Sequence, residues 1–118
     1  MKAATAPRID SVFRAFADPT RLRILNLLRQ GEVCVCDLVN VLGARQPRIS
    51  QHLAYLRRAG LVVAQAKGKW MYYSLAPARG PFHRKLLECL DCCPAHAPQL
   101  AKDAAALRET CCDTGCCD

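Results

Sequence analysis

No stretch of this 118-residue chain comes near the roughly 20 consecutive apolar residues that a bilayer-spanning helix requires, and the opening MKAATAPRID lacks the apolar segment of a secretory leader. The expectation is a chain that stays in the cytoplasm, with no membrane partner. The fingerprints of catalysis are missing too: there is no Walker loop, no G-x-S-x-G, no H-E-x-x-H and no dinucleotide-binding glycine pattern, so an enzyme has no support. The third absence is of acid. From Leu38 to Leu87, fifty residues, there are nine Lys or Arg and no Asp or Glu, whereas the remainder holds eight basic and ten acidic residues. The net charge of +7 therefore lies wholly in the middle of the chain. Scattered charges are usually a solvated surface; a block without one acid reads as the footprint of a polyanion-binding face, whose sequence-independent affinity falls as salt rises.

What the chain has in excess is cysteine. Nine of them, an odd count with three vicinal pairs and one C-x-C, do not suit a disulfide framework in a cytosolic protein and point to metal or redox chemistry. The length allows one core, small enough that a second subunit would help to bury its apolar surface.

The apolar spacing is helical over most of the chain. Ile9, Val12, Phe13 and Phe16 make a first stripe, for which core packing is a sufficient explanation. Asp18 before Pro19 supplies a cap and a first-turn proline; Leu22, Leu25 and Leu28 follow, and Gly31 stops that helix. A third helix should run from about Cys36 to Leu42, ended by Gly43. A fourth should run from Pro47 to Arg58, with Ile49, Leu53 and Leu56 inward, Arg48, Gln51, Tyr55 and Arg58 outward, and Gly60 just past its end. Two helices joined by a tight Gly-containing turn are the helix-turn-helix signature. LVVAQA and WMYYSL, separated by Lys67-Gly68-Lys69, then read as a β-hairpin with lysines at its tip. The fold class is accordingly mainly α with a β-hairpin wing (α+β), a winged helix-turn-helix, expected as a homodimer. Beyond a linker at 77–81, Phe82, Leu86, Cys89, Leu90 and Cys93 form another apolar stripe cut off at Pro94, followed by an Ala-rich helix carrying Leu100, Ala104 and Leu107 and by the tail ETCCDTGCCD. We therefore expect a DNA-binding and dimerisation domain over residues 1–93 and a C-terminal Ala-rich helix and Cys-rich tail over 94–118.

From Asp18 to Leu75 the runs DPTRLRILNLL, EVCVCDL, QPRISQHLAYLRRAGLV and GKWMYYSL together resemble the ArsR-SmtB family of metalloregulatory repressors, most closely its arsenic-responsive branch. The resemblance implies a homodimeric winged-helix repressor that leaves double-stranded operator DNA when arsenite or antimonite binds, with the first helix and the helix from Phe82 forming the dimer interface. It also implies a DNA-reading segment at Gln46, Arg48, Ser50, Gln51 and His52. Of these, Gln and Arg side chains suit base edges, Ser50 suits phosphate, and His52, bordering Leu53, suits a structural place as well. Arg45, Arg57, Arg58, Lys67 and Lys69 suit phosphate.

The thiol chemistry points the same way. Cys34 and Cys36 fall at the start of the third helix, where the helix dipole should lower a thiol pKa, and soft thiolates favour a soft ion such as As(III) or Sb(III). The reading that they are small buried hydrophobes is the alternative. Where arsenic repressors of the C-V-C-D-L-C type carry a third cysteine, this chain has Val39. The third sulfur is open among Cys89, Cys92 and Cys93, at i, i+3 and i+4, and the tail residues Cys111, Cys112, Cys116 and Cys117; Cys92 and Cys93 rank ahead of the tail. His83 and His96 lack the spacing of the family's zinc ligands. Competing readings are a repressor switched by thiol oxidation or by cadmium, lead or zinc, and, in another class, a thiol-rich metal buffer.

Overall fold

A computed structural model of the chain describes residues 8–110; the tail cysteines lie outside the described residues. Among these, six α-helices and a three-stranded antiparallel sheet follow in the order α1 (Ile9–Phe16), α2 (Pro19–Leu28), β1 (Val33–Cys34), α3 (Val35–Leu42), α4 (Gln46–Arg58), β2 (Val62–Lys67), β3 (Trp70–Leu75), α5 (Pro81–Cys92) and α6 (Pro98–Glu109), with a 3-10 turn at Cys93–Ala95. This is a winged helix-turn-helix.

The helix ends lie where local chemistry puts them. The Asp18 carboxylate accepts from the Arg21 backbone N–H at 3.0 Å and so satisfies a donor that the first turn of α2 leaves open, with Pro19 beside it. Gly43 takes the left-handed conformation (φ 67°) that lets its N–H cap the Val39 carbonyl, and so turns the chain from α3 into α4. The core gathers Ile24, Leu25 and Leu27 of α2, Leu38 of α3 and Ile49, Leu53 and Leu56 of α4, all fully buried, so the inward stripe expected of α4 is the one observed.

Four local expectations need correction. Tyr55 does not face solvent freely: it is half-buried, with the Arg21 guanidinium 4.0 Å from its ring centroid and that of Arg58 at 5.9 Å. The α1 stripe divides, because Val12 is buried while Ile9 and Phe13 are 57% and 51% exposed; the Phe13 ring meets that of Phe82 edge-on at 5.6 Å. On α5 the buried residues are His83 and Leu90, whereas Cys89 is exposed, because the inward face of this helix runs one position away from it. The fourth difference is an added element. β1, only two residues long, pairs with β3 (Val33 with Tyr73, Cys34 with Tyr72), so the sheet order is β1-β3-β2.

Helix α6 docks on α2 through a polar seam. Arg23 grips the buried Asp103 carboxylate with both arms of its fork, at 2.7 and 2.9 Å, and Gln99 donates to the same carboxylate at 2.8 Å. Asn26 donates to the Leu100 carbonyl at 2.9 Å, and Leu107 enters the common core. Arg29, at the C-cap of α2, also reaches Asp91 of α5 at 3.0 Å.

Candidate functional site

Cys34 closes β1 and occupies the cap position of α3, and Cys36 lies in that helix's first turn. Strand pairing to Tyr72 fixes one side of the cysteine pair and the start of α3 fixes the other. The two sulfurs are 3.0 Å apart. Cys34 is buried, and burial pushes its thiol up from the ordinary value. Bonds from the Cys36 and Asp37 backbone N–H groups pull it back and the Asp37 charge adds to the rise, leaving it raised overall. The expectation that the helix start would lower this pKa is therefore corrected: the helix N–H groups act as expected, but desolvation outweighs them.

These sulfurs open onto a cleft of about 210 Å³ whose other walls come from α4 and the wing: Gln46 and Ser50 from the first turns of α4, and Lys69, Trp70 and Tyr73 from the wing. Gln46 and Ser50 belong to the expected reading segment, and Trp70 and Tyr73 to the second strand of the hairpin. Their part in the cleft follows from β1 pairing with β3, which no local pattern announces.

Along α4, Arg48, Gln51 and Arg58 are exposed, as are Arg45 ahead of the helix and Gln46 and Ser50 on its first turns; Arg57 is exposed at its end. His52 stands apart from them. It is half-buried against α2, with Nδ1 3.5 Å from the Arg21 guanidinium and 3.9 Å from the Asp18 carboxylate, and burial lowers its pKa. At the wing, Lys67 is ion-paired with Glu32 and lies 5.1 Å from the Tyr72 ring, while Lys69 lies 5.8 Å from the Trp70 ring. Glu32, one residue ahead of β1, was not singled out in the sequence, because its partner lies 35 positions away.

Cys89 and Cys92 are exposed and Cys93 is half-buried at the end of α5. Among the described residues no group of three or more His, Cys, Asp or Glu is arranged to hold a metal ion, so the Cys89, Cys92 and Cys93 turn is not a preformed three-sulfur centre. Among them, too, no helix is long and apolar enough to cross a membrane.

A reading helix whose polar face is solvent-exposed, a basic hairpin beside it and a core that holds both in place define a winged helix-turn-helix regulator of transcription. Residues 18–63 match the family model for bacterial regulatory proteins of the arsR family. The chain is 45% identical over 78 residues to the arsenical resistance operon repressor of Escherichia coli, an alignment covering 65% of this chain and 67% of that protein. It is 51% identical over 67 residues to the arsenic resistance transcriptional regulator ArsR1 of Pseudomonas putida, covering 56% of this chain and 52% of that protein, so it spans about half that relative's length. Further relatives are named for cadmium and mercury resistance. Among solved structures, HlyU from Vibrio cholerae superposes with a TM-score of 0.64 at 28% identity, covering 75% of this chain and 89% of that one. The chain belongs to the arsR family: it is a transcriptional regulator, and the family to which it belongs comprises DNA-binding regulators and not enzymes.

Proposed function

We propose that this protein is a cytoplasmic, homodimeric repressor of a metalloid-resistance operon, released from its operator when As(III) or Sb(III) is captured by Cys34 and Cys36. The observation that carries this reading is the shared cleft: the two sulfurs face Gln46 and Ser50 of α4 and Lys69 of the wing across the same cavity. A centre bonded to both sulfurs would pull on the end of β1 and the start of α3 together, and so on the wing and the turn into α4 that must seat jointly on a duplex. In this reading Gln46, Arg48 and Gln51 meet base edges, Ser50, Arg45, Lys67 and Lys69 meet phosphate, and His52 positions α4 from behind. Cys92 and Cys93 would serve as auxiliary sulfur donors. Exposed Ile9 and Phe13 beside Phe82 support a second copy packing against α1 and α5. The names of the arsenic-resistance relatives favour a metalloid over cadmium or mercury as inducer.

The test is fluorescence anisotropy of labelled promoter DNA with fully reduced protein, titrated with arsenite, antimonite, cadmium and mercury. Wild type should release the duplex with arsenite; Cys34→Ser should bind it equally well and fail to release it. Normal release from that variant would discard the thiol-pair reading. A second reading, oxidation of Cys34 and Cys36 to a disulfide, draws on their 3.0 Å separation. Release by arsenite under full reduction separates the two.

A further inference from the structure

Behind the exposed face of α4, one titratable ring sits where two charges compete for it. His52 is half-buried against α2, with Nδ1 3.5 Å from Nη1 of Arg21 and 3.9 Å from Oδ2 of Asp18; Arg48, one turn earlier on α4, is the third charged group around it. A guanidinium has donors only, so the Arg21 contact exists only while Nδ1 is bare and Nε2 carries the ring's single proton. The same Arg21 holds the Ala15 and Arg14 carbonyls at the end of α1 and covers the Tyr55 ring, three residues along α4 from His52. With His52 neutral, α4 thus has two adjoining footholds on one anchored guanidinium. Protonation reverses the pairing. An Nδ1–H cannot accept from Arg21, and the charged ring is repelled by Arg21 and Arg48. Its acceptor is then Asp18, at 3.9 Å about 1 Å beyond hydrogen-bond range and already capping α2 through the Arg21 N–H. Closing that gap moves the ring, and with it the part of α4 that carries Arg48 and Gln51.

We propose that His52 is a proton-sensitive positioning residue: neutral, it seats α4 on Arg21 for base reading; protonated, it exchanges Arg21 for Asp18 and shifts α4, so that the protein keeps its hold on any duplex but loses its preference for the operator. This rests on α4 being the reading helix, and on no part of the reading at Cys34 and Cys36. Burial lowers the pKa of the ring by more than the Asp18 charge raises it, and Arg21 and Arg48 lower it further. The neutral, seated form therefore prevails above about pH 6.5 and is lost as the pH falls through the lower folded value. Duplex phosphates act in the opposite sense. They favour a charged ring, so attraction to any sequence does not weaken in acid, and only base reading does.

The experiment measures anisotropy of promoter and random-sequence duplexes with the reduced, full-length chain at pH 7.5 and 5.5, at one fixed ionic strength. Between the two, wild type should lose roughly fivefold or more of its promoter-over-random ratio, while its affinity for random duplex holds or rises. His52→Asn keeps an acceptor where Nδ1 stands and cannot take a charge; it should hold the wild-type ratio of pH 7.5 at both values, which also sets aside His83 and His96. A ratio that stays level in wild type, or that falls equally in His52→Asn, overturns the proposal alone. Absence of any promoter preference at pH 7.5 overturns base reading by α4, and the proposal with it. Nitrogen-15 NMR of the DNA-free wild-type chain examines the ring without any variant. Nδ1 should be bare at pH 7.5, and the Tyr55 ring resonances should move with the His52 titration as Arg21 departs. A proton on Nδ1 at pH 7.5, or Tyr55 resonances indifferent to that titration, overturns the proposal whatever the DNA result.

Discussion

Replacing Arg21 by alanine should unseat the reading helix without touching a residue that faces DNA. Its Nε donates to the Ala15 carbonyl at 3.1 Å and its Nη2 to the Arg14 carbonyl at 2.9 Å, two acceptors at the end of α1, the second of which also takes the Ala17 N–H. The same guanidinium covers the Tyr55 ring at 4.0 Å. Hydrogen bonds from a charged donor contribute about 1.5–3 kcal/mol when buried; these are partly exposed, so about 1 kcal/mol each is the better figure, and the cation–π contact adds about 1 kcal/mol. The expected loss is therefore about 3 kcal/mol, equivalent to a fall in Tm of roughly 12 °C for a chain of this size. Arg21→Lys keeps the charge but not the planar fork, and should lose about half as much. Urea unfolding of the reduced protein measures the loss, and a double-mutant cycle with Tyr55→Leu should return a coupling of about 1 kcal/mol. A loss under about 1 kcal/mol for Arg21→Ala, or strict additivity with Tyr55→Leu, would refute the argument that this side chain holds α1 and α4 together.

Three further outcomes follow from other contacts. Asp103→Ala would strand the three-quarters-buried Arg23, and should cost about 2 kcal/mol in unfolding free energy, less than the 3–5 kcal/mol of a fully buried pair because Arg23 keeps some water; an unchanged urea midpoint would contradict the α2–α6 seam. Glu32→Gln should raise affinity for every duplex severalfold and steepen its salt dependence, since Lys67 would no longer be divided between Glu32 and a phosphate; weaker binding would count against Lys67 as a phosphate contact. Burial lowers the pKa of both His52 and His83, so below about pH 6.5 the unfolded chain takes up protons that the folded chain resists. The stability these neutral rings contribute is complete above that pH and is lost as the pH falls through their folded values. Melting curves at pH 7.5 and 5.5 should show the drop, and His52→Gln should remove part of it.

Whatever depends on neighbours in sequence was legible without coordinates. Asp18, Pro19, Gly43 and Gly60 set helix ends by their own backbone chemistry, and the spacing of Ile49, Leu53 and Leu56 named the buried face of α4. The hairpin came from two β-rich runs around Gly68, which takes positive φ at its tip. What stayed hidden was set by residues far apart. A two-residue strand has no periodicity, so Cys34 read as a helix start when it also ends a strand of the wing sheet. Tyr55 fits an outward stripe until Arg21 covers it, and Cys89 fits an inward stripe until α5 turns its His83 and Leu90 face to the core instead. The thiol pKa erred for the same reason: a helix terminus is visible in sequence, whereas the depth at which it is buried is not.

Trp70 is the chain's one tryptophan, and it lines the cleft into which Cys34 and Cys36 open. An indole held there is an intrinsic optical probe at the position where a heavy atom would lodge. Its emission can therefore follow occupancy in the unlabelled wild-type protein, in real time and apart from any event on the nucleic acid, so that capture and letting go can be clocked as separate steps.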